Sequence, residues 1–149
     1  MKRGNRWVVV GLMMAAAQMA GCQKHSATHQ EPEHPAQVEK IDGSQFSRLT
    51  LTDNAMKRLD VRTAKVSEGP SPRKESPQKA VPYGAVLYDP HGKTWVYTSP
   101  QPRTFVRHKI EVDYIKGDTA YLSDGPPTGT EVATVGVAEL YGTEFKVGH

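Results

Sequence analysis

Two runs of β-branched and aromatic residues face each other across Asp89-Pro90-His91-Gly92, and this stretch constrains the chain more than any other. On one side lies Val81-Pro82-Tyr83-Gly84-Ala85-Val86-Leu87-Tyr88, on the other Lys93-Thr94-Trp95-Val96-Tyr97. Pro presets one turn dihedral and Gly accepts a positive φ, so the pattern predicts a β-hairpin. The same logic recurs downstream. Thr104 to Ile115 reads as a long extended segment, Lys116-Gly117-Asp118 as a tight turn, Thr119 to Leu122 as a short strand and Glu131 to Val135 as another. Val137 to Tyr141 reads as a helical turn ended by Gly142, a residue suited to a left-handed cap. The expected fold class is therefore mainly β: a small antiparallel β-roll or barrel-like domain.

Upstream, Phe46 to Leu51 and Val61 to Val66 read as strands around one short α-helix, Asn54 to Leu59, capped by Thr52 or Asp53. Ala55, Met56 and Leu59 supply the i,i+3 and i,i+4 contacts of one apolar helix face. A strand, a short helix and a strand cannot fold alone, so this unit has to join the larger β-domain. Between the two lies a Pro-rich linker, residues 67–79, with Pro70, Pro72 and Pro77 among Ser, Lys, Arg and Glu.

The N-terminus carries a different kind of information. Lys2, Arg3 and Arg6 precede the apolar run Trp7 to Ala17, the layout of a signal peptide rather than of a permanent span. Met19-Ala20-Gly21-Cys22 resembles the lipobox of bacterial lipoproteins, and Cys22 is the only cysteine, so an intramolecular disulfide is impossible. The expected layout is a lipoprotein signal peptide at 1–21, a lipidated flexible tether at 22–45, a β-domain at 46–145 and a tail at 146–149. Removal of the signal takes away 3 of the 19 Lys and Arg and leaves sixteen basic against sixteen acidic residues. A formally neutral chain lacks the basic face that nucleic-acid binding needs. Several acyl chains on Cys22 would anchor the protein stably, at about 0.8 kcal/mol per buried CH₂, in a membrane whose identity is left open. The segment Gln23 to Gln45, with Pro32 and Pro35 and no apolar period, would hold the domain within roughly 26 Å of the anchor on average.

Candidate chemistry is sparse. His25, His29 and His34 lie near Glu31 and Glu33 in the tether, donors that suit zinc or copper but stand at irregular spacing. His91 and His108 have no Ser, Cys or carboxylate at motif spacing, and no phosphate-binding Gly loop is present, so a noncatalytic role without a cofactor beyond the lipid is expected. Trp95, Tyr97, Phe105 and Arg107 are candidates for a partner-binding face, against the alternative that aromatics at strand spacing form core and cross-strand pairs.

Two blocks of the chain resemble a known family. Leu49 to Val66 resembles the segment near the start of periplasmic adaptor subunits, the membrane fusion proteins of resistance-nodulation-division efflux pumps. Val81 to Asp89, Val96-Tyr97, Phe105-Val106-Arg107 and Gly136-Val137-Ala138-Glu139-Leu140-Tyr141-Gly142 look like the end of the same proteins. In that family the two ends meet to build the membrane-proximal domain, a small β-roll. The lipoyl-like domain, helical hairpin and β-barrel domain that normally lie between them are replaced here by the 13 residues of 67–79. Gly84 stands where the family commonly has Ser, and Asp60 where it often has Gly. The resemblance implies a periplasm-facing accessory or interaction module whose partner is an inner-membrane efflux transporter or a full-length adaptor subunit. A metal-binding lipoprotein using the tether histidines and a truncated adaptor remnant are the alternatives.

Overall fold

The computed structural model describes residues 34–146. Ten strands build one strongly bent antiparallel sheet. In chain order they are β1 (Ala36–Lys40), β2 (Ser47–Leu51), β3 (Arg62–Lys65), β4 (Ser67–Gly69), β5 (Gln78–Pro82), β6 (Leu87–Tyr88), β7 (Thr94–Gln101), β8 (Thr104–Lys116), β9 (Thr119–Asp124) and β10 (Glu131–Val135). Helix α1 (Asp53–Arg58) separates β2 from β3, and α2 (Val137–Phe145) follows β10. The main path runs β3-β10-β7-β8-β9-β5-β4, with β2 and then β1 added on β8 and β6 added on β7.

Two corners turn this path into a nearly closed barrel. β8 has 13 residues, enough to serve two neighbours in succession. Its first half pairs with β7 (Thr94↔Ile110 to Gln101↔Thr104) and its second half with β9 (Glu111↔Asp124 to Lys116↔Thr119). The second corner is made by β3 and β4, which stand at opposite ends of the path but are separated in sequence only by Val66. Val66 N–H donates to the Thr130 carbonyl and its own carbonyl accepts from Gly129 N–H, so the crossing residue keeps its backbone bonded while its side chain is buried. A closed sheet has few open edges, which limits unwanted pairing.

The β2-α1-β3 unit does not hang free. β2 pairs with β8 through Arg48↔Val106, Leu49↔Phe105 and Thr50↔Thr104, and β3 pairs with β10 from Glu131↔Lys65 to Val135↔Arg62. Thr52 caps α1 by accepting from Ala55 N–H at 3.1 Å. Ala55 is buried, and Met56 and Leu59 pack against the same cluster.

Four sequence expectations need correction. The first strand of the hairpin is broken: Gln78–Pro82 pairs with β9, Tyr83–Ala85 forms a 3-10 turn, and only Leu87 and Tyr88 pair with β7. Pro82 cannot continue a ladder as a donor, and the turn fits because Gly84 has no side chain: a Cβ there would lie 2.9 Å from the Thr134 carbonyl oxygen. The 67–79 segment is no free linker. Ser67–Gly69 pairs with Gln78–Ala80, and Ser71 holds the loop by donating to Gln78 Oε1 at 2.8 Å and accepting from Lys74 N–H. The tether also ends earlier than 45, because Ala36–Lys40 pairs with β2 and Ala36 and Val38 pack against the cluster that β2 shares with the helices. Finally, α2 passes through Gly142 and ends at Lys146, whose φ is 53°. Glu144, on its last turn, holds it to the barrel.

Candidate functional site

The interior divides into two clusters. One gathers Val66, Val81, Ala85, Val96, Ile110, Ala120, Leu122 and Val132, all aliphatic. The other gathers Leu49, Leu51, Ala55, Tyr97, Phe105, Ala133, Val137 and Leu140, where the barrel meets the two helices. Alternation along β7 and β8 sends successive residues to opposite faces, which is how Tyr97 and Phe105 reach the second cluster.

Beside that cluster lies a buried polar group. Tyr97 donates its hydroxyl proton to Glu144 Oε2 at 2.6 Å. Arg107 Nε stands 3.2 Å from the same oxygen, and the two side chains are only 9% and 3% exposed. That N–H is not aimed along the line to the carboxylate, so no hydrogen bond reaches it among the described residues and the pair is a charge contact. The guanidinium is walled by aromatic rings instead: its carbon is 4.4 Å from the Trp95 ring centre, 5.0 Å from Phe145 and 5.6 Å from Phe46. Ring quadrupoles favour a cation held this way. Trp95 meets Phe46 edge to face and donates Nε1–H to Asp89 Oδ2 at 3.0 Å.

Ionisation follows from these contacts. Burial raises the Tyr97 pKa most, and the hydrogen bond to Glu144 and that residue's charge add to it, so the hydroxyl keeps its proton far beyond the ordinary tyrosine range although Arg107 opposes the shift. For Asp89, desolvation pushes upward. It is outweighed by hydrogen bonds from Lys93 N–H, Trp95 Nε1–H and His91 N–H together with the His91 charge, which hold the carboxyl below its ordinary value. Asp113 is likewise lowered, first by Lys74 and then by Gln78, with desolvation opposing.

Of the sequence-derived site residues, Cys22, His25 and His29 lie outside the described residues. His34 is exposed and lines an open groove of about 1030 Å³ with Pro35, Val38, Ala138, Gly142 and other residues of β1 and α2. Among the described residues no three His, Cys, Asp or Glu side chains come together as a metal site. Trp95, Tyr97, Phe105 and Arg107 are brought together, but as buried residues, so the expectation that they form a partner-binding face is corrected: Tyr97 and Phe105 are fully covered by β2 and α2. What this arrangement does chemically is fasten α2 to the barrel.

Of the aromatics around Arg107 only Phe145 keeps a large exposed surface, 46%; the other exposed large apolar side chains lie elsewhere. Tyr83 and Tyr88 are 43% and 49% exposed, and Ile115 is 41% exposed. Tyr83 N–H donates to the Asp118 carbonyl, which seats the 3-10 turn on the β8–β9 turn, and Tyr88 lines one depression with Ile115. Burial and then the neighbouring Tyr83 push the Tyr88 hydroxyl above its ordinary pKa. Nothing in local spacing distinguishes these tyrosines from Tyr97, because facing depends on how the strand breaks at Pro82. Glu144 was missed for a related reason: its role exists only once α2 passes Gly142. The one available signal was Tyr141 four residues before Phe145, a helical pair whose rings lie 4.6 Å apart. Compared with family models, with curated proteins and with solved structures, the chain matches none.

Proposed function

We propose that this chain is a membrane-anchored periplasmic lipoprotein that acts without catalysis, as an accessory or interaction module of an efflux system exporting drugs or metal ions. The observation that carries the reading is closure. The two blocks that resemble the ends of an adaptor subunit pair with each other, β2 on β8 and β3 on β10, although only the short 67–79 connection joins them. A resemblance confined to local sequence would not require that pairing. Position 60 agrees: Asp60 has φ 47°, the left-handed conformation in which Gly is the unstrained residue. Position 84 is a departure, since a Ser there would collide with the Thr134 carbonyl unless the turn moved away.

Among the described residues there is no helical hairpin, the element with which adaptor subunits meet an outer-membrane channel, so the reading rests on the membrane-proximal unit alone. Its role is to bind an inner-membrane transporter or a full-length adaptor. With the full chain as bait in mild detergent, the expected result is specific recovery of a transporter or adaptor subunit; recovery of neither under conditions that keep known pumps assembled would refute the reading. Anchoring is tested separately. Cys22→Ser should release the protein from the membrane fraction and remove the acyl mass, and unchanged membrane retention would remove lipidation from the proposal.

A further inference from the structure

The Glu144 carboxylate keeps its place without help from its own helix. In α1, Thr52 caps the start, Asp53 stands in the first turn and Lys57 and Arg58 in the last, so each charge lies at the end of the macrodipole that favours it. The last turn of α2 reverses this. It has no basic side chain, Glu144 stands at the negative end of the dipole, Gly142 lies inside the helix, and the capping residue, Lys146, is a non-glycine in the left-handed region. What holds the turn is the cleft beneath it, where Glu144 meets Tyr97 and Arg107.

That cleft offers more than Glu144 uses. Both contacts fall on one oxygen, Oε2, which is 2.6 Å from the Tyr97 hydroxyl and 3.2 Å from Arg107 Nε. A guanidinium can present two parallel N–H groups to the two oxygens of a carboxylate. Here the Nε–H, on a side chain only 9% exposed, has no acceptor among the described residues. A buried donor left in that state weakens the hold on the resident carboxylate and favours one that is free to turn toward it. The cover is thin as well: of the three rings around the guanidinium, Phe145 is the most exposed, at 46%, and it belongs to the same turn as Glu144.

From these features we infer that the cleft formed by Arg107, Tyr97, Trp95 and Phe46 is a carboxylate-binding site, that Glu144 is its built-in ligand, and that the last turn of α2 is a lid which an external carboxylate displaces. The partners the resident group already has, a phenol donor and a flat guanidinium, fix the class of ligand. A buried ion pair adds little net stability, so exchanging one carboxylate for another costs chiefly the unwinding of one unfavourable turn. Glu144 acts as an intramolecular competitor and lowers the apparent affinity for any external ligand. The inference goes beyond the efflux reading and does not rest on it.

The Arg107 Nε–H resonance of the full, nitrogen-labelled chain in detergent, assigned by its loss in Arg107→Lys, reads the site directly. In Glu144→Ala, which empties the cleft, sodium acetate should shift that resonance saturably, and sodium chloride and acetamide should not. The parent should need at least tenfold more acetate, because Glu144 competes, and as it responds the amides of Thr143 to Lys146 should lose protection while those of β7 keep theirs. Phe145→Ala, at an exposed position, keeps the competitor but removes the cover. Its Arg107 Nε–H should exchange with water at least tenfold faster than the parent's and it should need less acetate than the parent, so this variant decides the matter if Glu144→Ala does not fold. Acetyl-Glu-Phe-amide compared with acetate identifies the source: tighter binding of the dipeptide assigns an acidic side chain of a polypeptide, equal or weaker binding assigns a small free acid, and either supports the site. No saturable shift in folded Glu144→Ala, a shift matched by chloride or acetamide, equal acetate affinity in the parent and Glu144→Ala, amides of Thr143 to Lys146 that exchange in the parent only with global unfolding, or unchanged Nε–H exchange in Phe145→Ala would each overturn the proposal. Failure here leaves recovery of a pump component by the whole protein unaffected, so the two proposals fail separately.

Discussion

Around Val96, Ile110 and Leu122 the buried cluster is wholly aliphatic, whereas around Tyr97 and Phe105 the barrel borders an arginine and a glutamate whose side chains are almost entirely removed from water. The aliphatic end owes its stability to removing Val, Ile and Leu from water, about 1.5–3 kcal/mol for each side chain fully buried. The other end gains less from its charges than their proximity suggests. Desolvating Arg107 and Glu144 offsets most of their attraction, so such a pair adds little net stability while making the loss of either partner costly. The difference teaches where each end gets its precision. Aliphatic packing tolerates small shifts of shape, but one carboxylate that must meet Tyr97 and Arg107 together admits a single placement of α2.

The sharpest way to break the comparison is Glu144→Ala. It strands Arg107 without a counter-charge, and the expected loss is about 3–5 kcal/mol by urea unfolding. Replacing both partners by apolar residues, Arg107→Met with Glu144→Leu, should recover most of that loss; a double variant as unstable as the single one would show that the ion pair itself stabilises. At the other end, Leu122→Ala should cost about 2–5 kcal/mol through lost transfer energy and a residual cavity, with no dependence on pH.

Tyr97→Phe comes next, at about 1.5–3 kcal/mol near neutral pH for a lost hydrogen bond to a charged group. The sign of its pH dependence follows from the raised pKa. Below about pH 10 the unfolded and folded chains both hold the proton, so the Tyr97 contribution is complete; above that value the unfolded chain releases it and the contribution is lost as pH rises. The stability gap between the parent and Tyr97→Phe should therefore narrow above about pH 10. A gap that stays constant into the alkaline range would show that the hydroxyl is not held as described. Gly84→Ser is expected to have the smallest effect, about 1–3 kcal/mol, because the 3-10 turn has to draw back from the Thr134 carbonyl. If Ser is accepted at no cost, the departure from the adaptor pattern at this position carries no structural meaning.

Several elements were legible from residues alone. A cap for α1 at Thr52 or Asp53, of which the structure uses Thr52, the long strand ending at the Gly117 turn and the bounds Glu131–Val135 follow from local rules: capping chemistry, β-branched runs and a glycine with φ 57°. Local rules failed where two distant segments complete one another. Ser67–Gly69 is too short and polar to read as a strand, and it becomes one only because Gln78–Ala80 lies beside it. Its loop is fastened by residues of β8, through Lys74 with Asp113 at 2.7 Å and Arg73 over the Tyr114 ring. Ala36–Lys40 is likewise a strand by partnership rather than by propensity.

By itself, then, the amino-acid order determined that this is a mainly β domain, which segments extend and which helix face is apolar, since strand and helix periods and turn chemistry are properties of neighbouring residues. Only the tertiary structure decided which aromatics are inside. Tyr97 and Tyr88 belong to one hairpin, yet the first is sealed under α2 and the second stands at an open edge. That outcome depends on where β8 changes partners and where Val66 carries the chain across to close the barrel. Both are decided by contacts between residues far apart in sequence, whose burial no local pattern encodes.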